Sequence, residues 1–431
     1  MTFRNRIYLI SLIFIIILFR PLPTSGQGVA VVLSGGGSRG MAHVGVLKAL
    51  EENNIPIDYI AGTSIGAAVG ALYAAGIAPE EIEMIFSSNN FDRWVNMNPD
   101  PGLSYFYTRD DPDAGWIDLK LDFQNRYSKI LPPRVKNPAE LDFELVEIYA
   151  DAAAVAGYDF DSLMVPFRCV TADIDSSRAV VLENGSLANA VRASVTFPFL
   201  FKPIEIDGKL LFDGGMYNNF PTDVARKAFN PSLIIGSKVS GNFPKPDPDD
   251  VISQIQNMLM TNTDFSLDTS NGILIEPSIK KVSLTDFSRH EEYIRDGYLA
   301  TLEKMDEIKK KVPGRNSSEA IDSRRQNFNR RKPGYVIDSI HIDGLTEREQ
   351  RYVYKSLVHK DVKLTLRDLE PDYYKLVADE QLVLNGIKMK YKPDLDKYDL
   401  FLRIKPANKF NLKFGGNISS RVANLAYVEL N

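Results

Sequence analysis

One serine stands out by its neighbours. Gly62-Thr63-Ser64-Ile65-Gly66 lies between a short apolar stretch at 57–61 and a run of small residues at 67–75. The stretch reads as a strand and the run as the start of a helix, so Ser64 falls on an abrupt strand-to-helix turn. Such a turn strains the backbone and pushes the hydroxyl outward. Gly62 and Gly66 keep β-carbons away from the neighbouring strand and helix. The helix N-terminus favours negative charge beside the serine. A nucleophilic serine needs these conditions.

Two other stretches supply complementary chemistry. Gly35-Gly36-Gly37-Ser38-Arg39-Gly40 follows an apolar run at 28–33 and precedes a helical stretch at 41–51. Glycines there let backbone amides face a cleft, as an oxyanion hole requires. Asp213-Gly214-Gly215 follows a strand-like run at 209–212. A carboxylate of ordinary pKa, ~3.9, is a weak base. Asp213 becomes useful only close to the serine hydroxyl and partly desolvated. The rival base is His43, one helical turn past the glycine loop, where a structural role is the preferred reading.

Other function classes fit less well. Gly35, Gly37 and Gly40 match the dinucleotide fingerprint G-x-G-x-x-G, which wants an acid at the end of the next strand. That strand ends in Gly62-Thr63-Ser64, and the nearest acid, Asp58, is at its beginning. No cofactor is expected. Four scattered histidines and one cysteine, Cys169, offer no metal-ligand spacing, and Cys169 lies in an apolar run that suits a buried thiol. A net charge of -5 gives no reason to expect a nucleic-acid partner.

The elements that must position these groups read as a mostly parallel α/β sheet flanked by helices. The run at 28–33 is continuously apolar, like a strand buried on both faces. In such a sheet the loops at the carboxyl ends of neighbouring strands lie side by side, which brings the glycine loop and Ser64 together. Residues 233–237 and 272–277 read as later strands and 291–312 as a final amphipathic helix. Between 84 and 165, Trp94, Trp116, Phe86, Phe91 and Tyr105 to Tyr107 stand among prolines. They suit either a lid over the cleft or an insertion with its own small core.

The three motifs in this order resemble a patatin-like phospholipase over about residues 28–312. Ala193-Ser194-Val195-Thr196-Phe197-Pro198 and Asn219-Phe220-Pro221 resemble the stretches flanking the family's aspartate. The resemblance implies Ser64 as nucleophile, Asp213 as base, and Gly35, Gly36, Gly37 and Arg39 around the oxyanion. It also implies a phospholipid or other acyl-ester substrate at a membrane surface, with no metal.

The remaining chain sets the organisation. Residues 1–26, with a basic start, an apolar run and small residues at the end, read as a signal peptide. The expected domains are then 27–312 for the acyl hydrolase, 313–334 for an exposed basic linker, 335–406 and 407–431. The β-α-α-β-β order at 335–406 resembles a POTRA domain. The alternating tail at 407–431 suits the first strands of an outer-membrane barrel, which would make this the front of a longer fused protein, exported to the outer membrane, periplasm or cell surface. The alternative function is an envelope binding or transport module whose patatin-like part no longer turns over.

Overall fold

The computed structural model describes residues 28–88, 90–91, 94, 115–121 and 138–430, the last stretch with short breaks at 199, 243–247, around 250–259, and at 280–285, 313, 360–363, 380, 408–409 and 418–424. The expected signal peptide lies outside the described residues, as do most of the aromatics between 95 and 137.

In chain order the first unit runs β1 (Val29–Leu33), α1 (Ala42–Glu52), β2 (Tyr59–Thr63), α2 (Ile65–Ala74), α3 (Pro79–Phe86), β3 (Gly115–Leu121), α4 (Ala139–Val155), β4 (Phe167–Asp173), β5 (Arg178–Leu182) and α5 (Leu187–Ser194). It continues with β6 (Ile204–Ile206), β7 (Lys209–Asp213), α6 (Thr222–Phe229), β8 (Leu233–Ser237), β9 (Gly272–Ile275), α7 (His290–Glu303) and α8 (Met305–Lys311). The main sheet has the order β6-β7-β4-β2-β1-β8-β9, with β5 also on β4. Its centre, β4-β2-β1-β8-β9, is parallel. The β5, β6 and β7 pairings are antiparallel.

Local sequence explains the centre. Every residue of β1 and β8 is buried, as uninterrupted apolar strands covered on both faces must be. In α2 all residues but Ala68 are buried, so this helix of small side chains is enclosed rather than amphipathic. Helices α1 and α7 cross at a pair of glycines. A β-carbon on Gly45 would stand 1.9 Å from the Ile294 carbonyl oxygen, and one on Gly297 would stand 2.0 Å from the Ala42 carbonyl oxygen. The expected helix at 291–312 is two helices, parted at Lys304.

The expected linker at 313–334 is corrected by α9 (Ser318–Asn329). Ile321, Arg325 and Phe328 form its buried face. The Arg325 guanidinium makes two bonds to the Glu51 carboxylate, at 2.8 and 3.0 Å, and lies over the Tyr73 ring. Counting apolar residues underrates this segment because an arginine occupies the middle of its inner face.

The next unit contains β10 (Ile337–Asp343), α10 (Glu347–Leu357), α11 (Leu366–Val377), β11 (Leu382–Lys392) and β12 (Lys397–Pro406). Strand β12 is central, parallel to β10 and antiparallel to β11. This unit is not a separate bead. Phe143 of α4 packs on Tyr373 and Tyr374 of α11, and one apolar core runs through both units. Beyond it, β13 (Phe410–Asn417) pairs antiparallel with β14 (Leu425–Leu430) and with β3. The tail therefore joins a strand from within the irregular aromatic segment. Phe86, Phe91 and Trp94 of that segment form edge-to-face contacts that Phe287 joins through Phe91.

Candidate active site

Strand β4 brings the site together. Thr63, the last residue of β2, pairs with Val170. The next residue of β4, Thr171, pairs with Asp213, the last residue of β7. Strand β7 thus takes up the ladder where β2 stops, and Ser64 and Asp213 meet although 149 residues separate them. The Ser64 hydroxyl donates to Asp213 Oδ2 at 2.6 Å.

Ser64 occupies the turn at positive φ, with φ 55° and ψ -128°. A non-glycine residue stays there only when its surroundings hold it. Gly66 lets the turn press on β1, since a β-carbon would lie 2.4 Å from the Leu33 carbonyl oxygen. The Ser64 amide donates to Ser194 Oγ at 2.8 Å, and that hydroxyl donates to the Val170 carbonyl at 2.6 Å. Thr63 Oγ1 donates to the Asn218 carbonyl at 2.8 Å, tying the turn to the loop after Asp213.

Asp213 is 4% exposed. Its Oδ1 accepts the Gly215 amide at 2.8 Å, and its own amide donates to the Thr196 carbonyl at 2.9 Å. Burial pushes its pKa up to about 6, and the bonds from Ser64 and Gly215 oppose that shift. Desolvation wins because two neutral donors replace only part of the water around a carboxylate.

The glycine loop lies against both groups, and its members differ in role. The Gly35 amide is committed to the Asn219 carbonyl at 3.1 Å. Gly35 therefore serves by being small: a β-carbon there would sit 3.1 Å from Ser64 Cβ and 2.3 Å from Asn219 Oδ1. Gly36 and Gly37 open the 3₁₀ turn Gly37–Met41, and Gly37 has φ 58°. The half-buried Arg39 side chain turns back, its Nε donating to the Gly36 carbonyl at 3.3 Å. Desolvation lowers its pKa, and it is electrostatically coupled to Tyr293.

His43 does not reach the pair. Its Nε2–H donates to the Ser34 carbonyl, so Nδ1 is the acceptor for the Ser237 hydroxyl, both at 2.8 Å. It is fully buried, and desolvation lowers its pKa to about 4. This is a neutral brace between the first loop and β8. Asp58 accepts the Val29 amide at 2.8 Å, at the end of β1 opposite the glycine loop, so it cannot hold a ribose beside that loop. Among the described residues no group of three or more His, Cys, Asp or Glu could hold a metal ion. Cys169 is buried, and burial pushes its thiol up to about 12.

Sequence reading missed several participants. Ser194 holds the Ser64 amide, and Thr63 holds the loop after Asp213. Asn219 links the two loops: its carbonyl accepts the Gly35 amide, and its Nδ2 donates to Ser240 Oγ, which donates to the Gly35 carbonyl at 2.6 Å. The stretches at 193–198 and 219–221 stood out by resemblance, but nothing in them gave these contacts away.

A mostly parallel α/β sheet with a serine turn, a buried carboxylate and a glycine loop at the carboxyl edge brings together the groups that ester hydrolysis needs. Residues 31–226 match the family model of the patatin-like phospholipases. Over these residues the chain is similar to the patatin-like phospholipases, and the match points to an ester-hydrolysing enzyme. The human patatin-like phospholipase domain-containing protein 6 is 33% identical over 204 residues, covering 47% of this chain and 13% of that protein. The lysophospholipase nte1 of Aspergillus niger is 28% identical over 316 residues, covering 66% of this chain and 18% of that protein. The chain thus spans a small part of these relatives' length. VipD of Legionella pneumophila aligns at a TM-score of 0.36 with 13% identity, over 66% of this chain and 67% of that one, too distant a likeness to carry an argument.

Proposed function

We propose that the chain is a serine acyl hydrolase of the lipase or phospholipase A type that cleaves ester bonds of membrane lipids. The observation that carries this is the 2.6 Å bond from the Ser64 hydroxyl, on a strained turn, to a buried Asp213. With its pKa pushed up to about 6, Asp213 is ionised at neutral pH yet far more basic than an exposed aspartate. It accepts the Ser64 proton as Oγ bonds to the ester carbonyl carbon. The carbonyl electrons move onto oxygen, where the amides of Gly36 and Gly37 stabilise the charge. The carbonyl re-forms, the alcohol leaves with the proton from Asp213, and water releases the acyl group by the same steps. His43 takes no part.

The family match and the name of the Aspergillus relative support a lipid ester as substrate. The basic start, the apolar run at 7–19 and the small residues at 24–26 support export. The β-α-α-β-β unit followed by strands supports a POTRA-like domain in an outer-membrane setting. Hydrolysis of a fluorogenic phospholipid, beside a short soluble acyl ester, tests the substrate class. Preference for the phospholipid is expected. Turnover of the short ester alone would remove the lipid assignment, and a folded chain that hydrolyses neither and resists a fluorophosphonate would remove the enzyme assignment.

A further inference from the structure

One helix end holds both reacting groups. Ser194, the last residue of α5, accepts the Ser64 amide through its hydroxyl, and Thr196, two residues on, accepts the Asp213 amide through its carbonyl. Arg192 locks that helix end. Its side chain is 3% exposed, and the guanidinium reaches three groups in three directions. Nε donates to Asp142 Oδ1 at 2.6 Å, Nη2 donates to the Lys202 carbonyl at 3.1 Å, and Nη1 donates to Thr196 Oγ1. Thr196 Oγ1 returns a bond to the Arg192 carbonyl at 2.7 Å, closing a ring around the residue that holds Asp213. Phe201 lies 5.3 Å below the guanidinium.

Asp142 does not belong to this loop. It lies in the first turn of α4, the helix against which the C-terminal unit packs. There the buried Tyr373 hydroxyl donates to the Ala139 carbonyl at 3.0 Å, and the Tyr373 ring rests on Phe143 at 4.8 Å. Tyr374 bonds the Glu144 carboxyl on the same helix. A buried ion pair such as Arg192–Asp142 adds little net stability over an apolar pair of the same shape, and its best-attested use is to fix one arrangement among several. Here the arrangement fixed is the stretch from Thr196 to Lys202.

We propose that Arg192 is a positioning residue for the Ser64–Asp213 pair, and that the C-terminal unit reaches the pair through Tyr373, α4 and Asp142. This rests on the reading of Ser64 and Asp213 as the reacting groups. The C-terminal unit is then part of the working enzyme as well as a neighbour on the chain. Lysine cannot replace Arg192, because one ammonium cannot serve three acceptors set apart by a planar fork.

The test uses the full chain and a short soluble acyl ester, with Asp142→Asn, Arg192→Lys and Tyr373→Phe. Active sites are counted by complete fluorophosphonate labelling, so that kcat refers to folded protein, and melting temperatures are recorded in parallel. A small misplacement of reacting groups costs rate rather than binding. Asp142→Asn and Arg192→Lys are expected to lower kcat per site by about 10- to 100-fold with KM within about twofold. Tyr373→Phe is expected to lower kcat about threefold in the same manner. Lowered melting temperatures with unchanged kcat per site would overturn the proposal and leave the ion pair a structural one. A loss in the first two variants without any in Tyr373→Phe would overturn the role of the C-terminal unit. Where Asp142→Asn does not fold, Arg192→Lys and Tyr373→Phe decide. A wild-type chain with no turnover would instead remove the reading of Ser64 and Asp213, which is a distinct result.

Discussion

The Ser64 hydroxyl donates to an Asp213 carboxylate that is 4% exposed, and both backbones are held from the end of one helix, at Ser194 and Thr196. With Asp213 as the proposed base, its acidity is expected to set the pH range of the chemistry. Its carboxylate must be ionised to accept the proton, and burial pushes its pKa up to about 6. kcat/KM is expected to rise tenfold per pH unit below about 6 and to level off above it. His43, lowered to about 4, would put the limb two units lower if it were the base. A pH–rate profile with its acidic limb near 4 would contradict the assignment.

The same burial makes Asp213 a cost to stability. Its folded pKa of about 6 exceeds the usual aspartate value, so the folded state holds the proton more tightly. Stability is lost as pH rises from about 4 to 6, and the loss persists above that. A shift of two units corresponds to about 3 kcal/mol. Asp213→Asn keeps an acceptor for the Gly215 amide and carries no charge. It is expected to melt higher than wild type above pH 6, with the difference shrinking toward zero near pH 4. Equal melting temperatures across that range would show that the carboxylate is not desolvated.

The α1–α7 crossing admits no side chain. The Gly45 and Gly297 positions would place β-carbons within 2.0 Å of opposing carbonyl oxygens. Gly45→Ala or Gly297→Ala is expected to destabilise by about 3 kcal/mol or more, because two helices must separate. Urea titration measures this, and a midpoint unchanged in both variants would contradict the packing described.

The helix at 318–329 is expected to stabilise the hydrolase unit. Glu51→Gln removes the closer of two carboxylates from the Arg325 side chain, which is 10% exposed, and leaves Asp322 at 3.4 Å, at a cost of about 2 kcal/mol. A chain ending at 313 is likewise expected to melt below one ending at 334. Equal melting temperatures would return this segment to the status of a linker.

Some of this was legible in the sequence. The glycine loop, the turn at Ser64 and the Asp-Gly-Gly corner each impose a demand on a few consecutive residues, and sequence shows such demands directly. The apolar runs at 28–33 and 233–237 show the buried centre of the sheet for the same reason. Arg192, Ser194 and Asn219 were not legible, because their partners lie on other elements. The helix at 318–329 left one trace: Ile321, Arg325 and Phe328 fall at i, i+4 and i+7, a single helical face obscured by low apolar content. Gly45 and Gly297 interrupt helical stretches, a pattern that points to close approach only after the helices are placed. The pairing of β3 with β13 joins segments nearly three hundred residues apart, and nothing local specifies it.

The most direct measurement of the central claim is hydrolysis of a fluorogenic phospholipid by the full chain beside Ser64→Ala and Asp213→Asn, with folding checked by melting. Wild type is expected to turn over, Ser64→Ala to show none, and Asp213→Asn to lose about 10²- to 10⁴-fold in kcat. Turnover that survives in either folded variant at the wild-type rate would contradict the account.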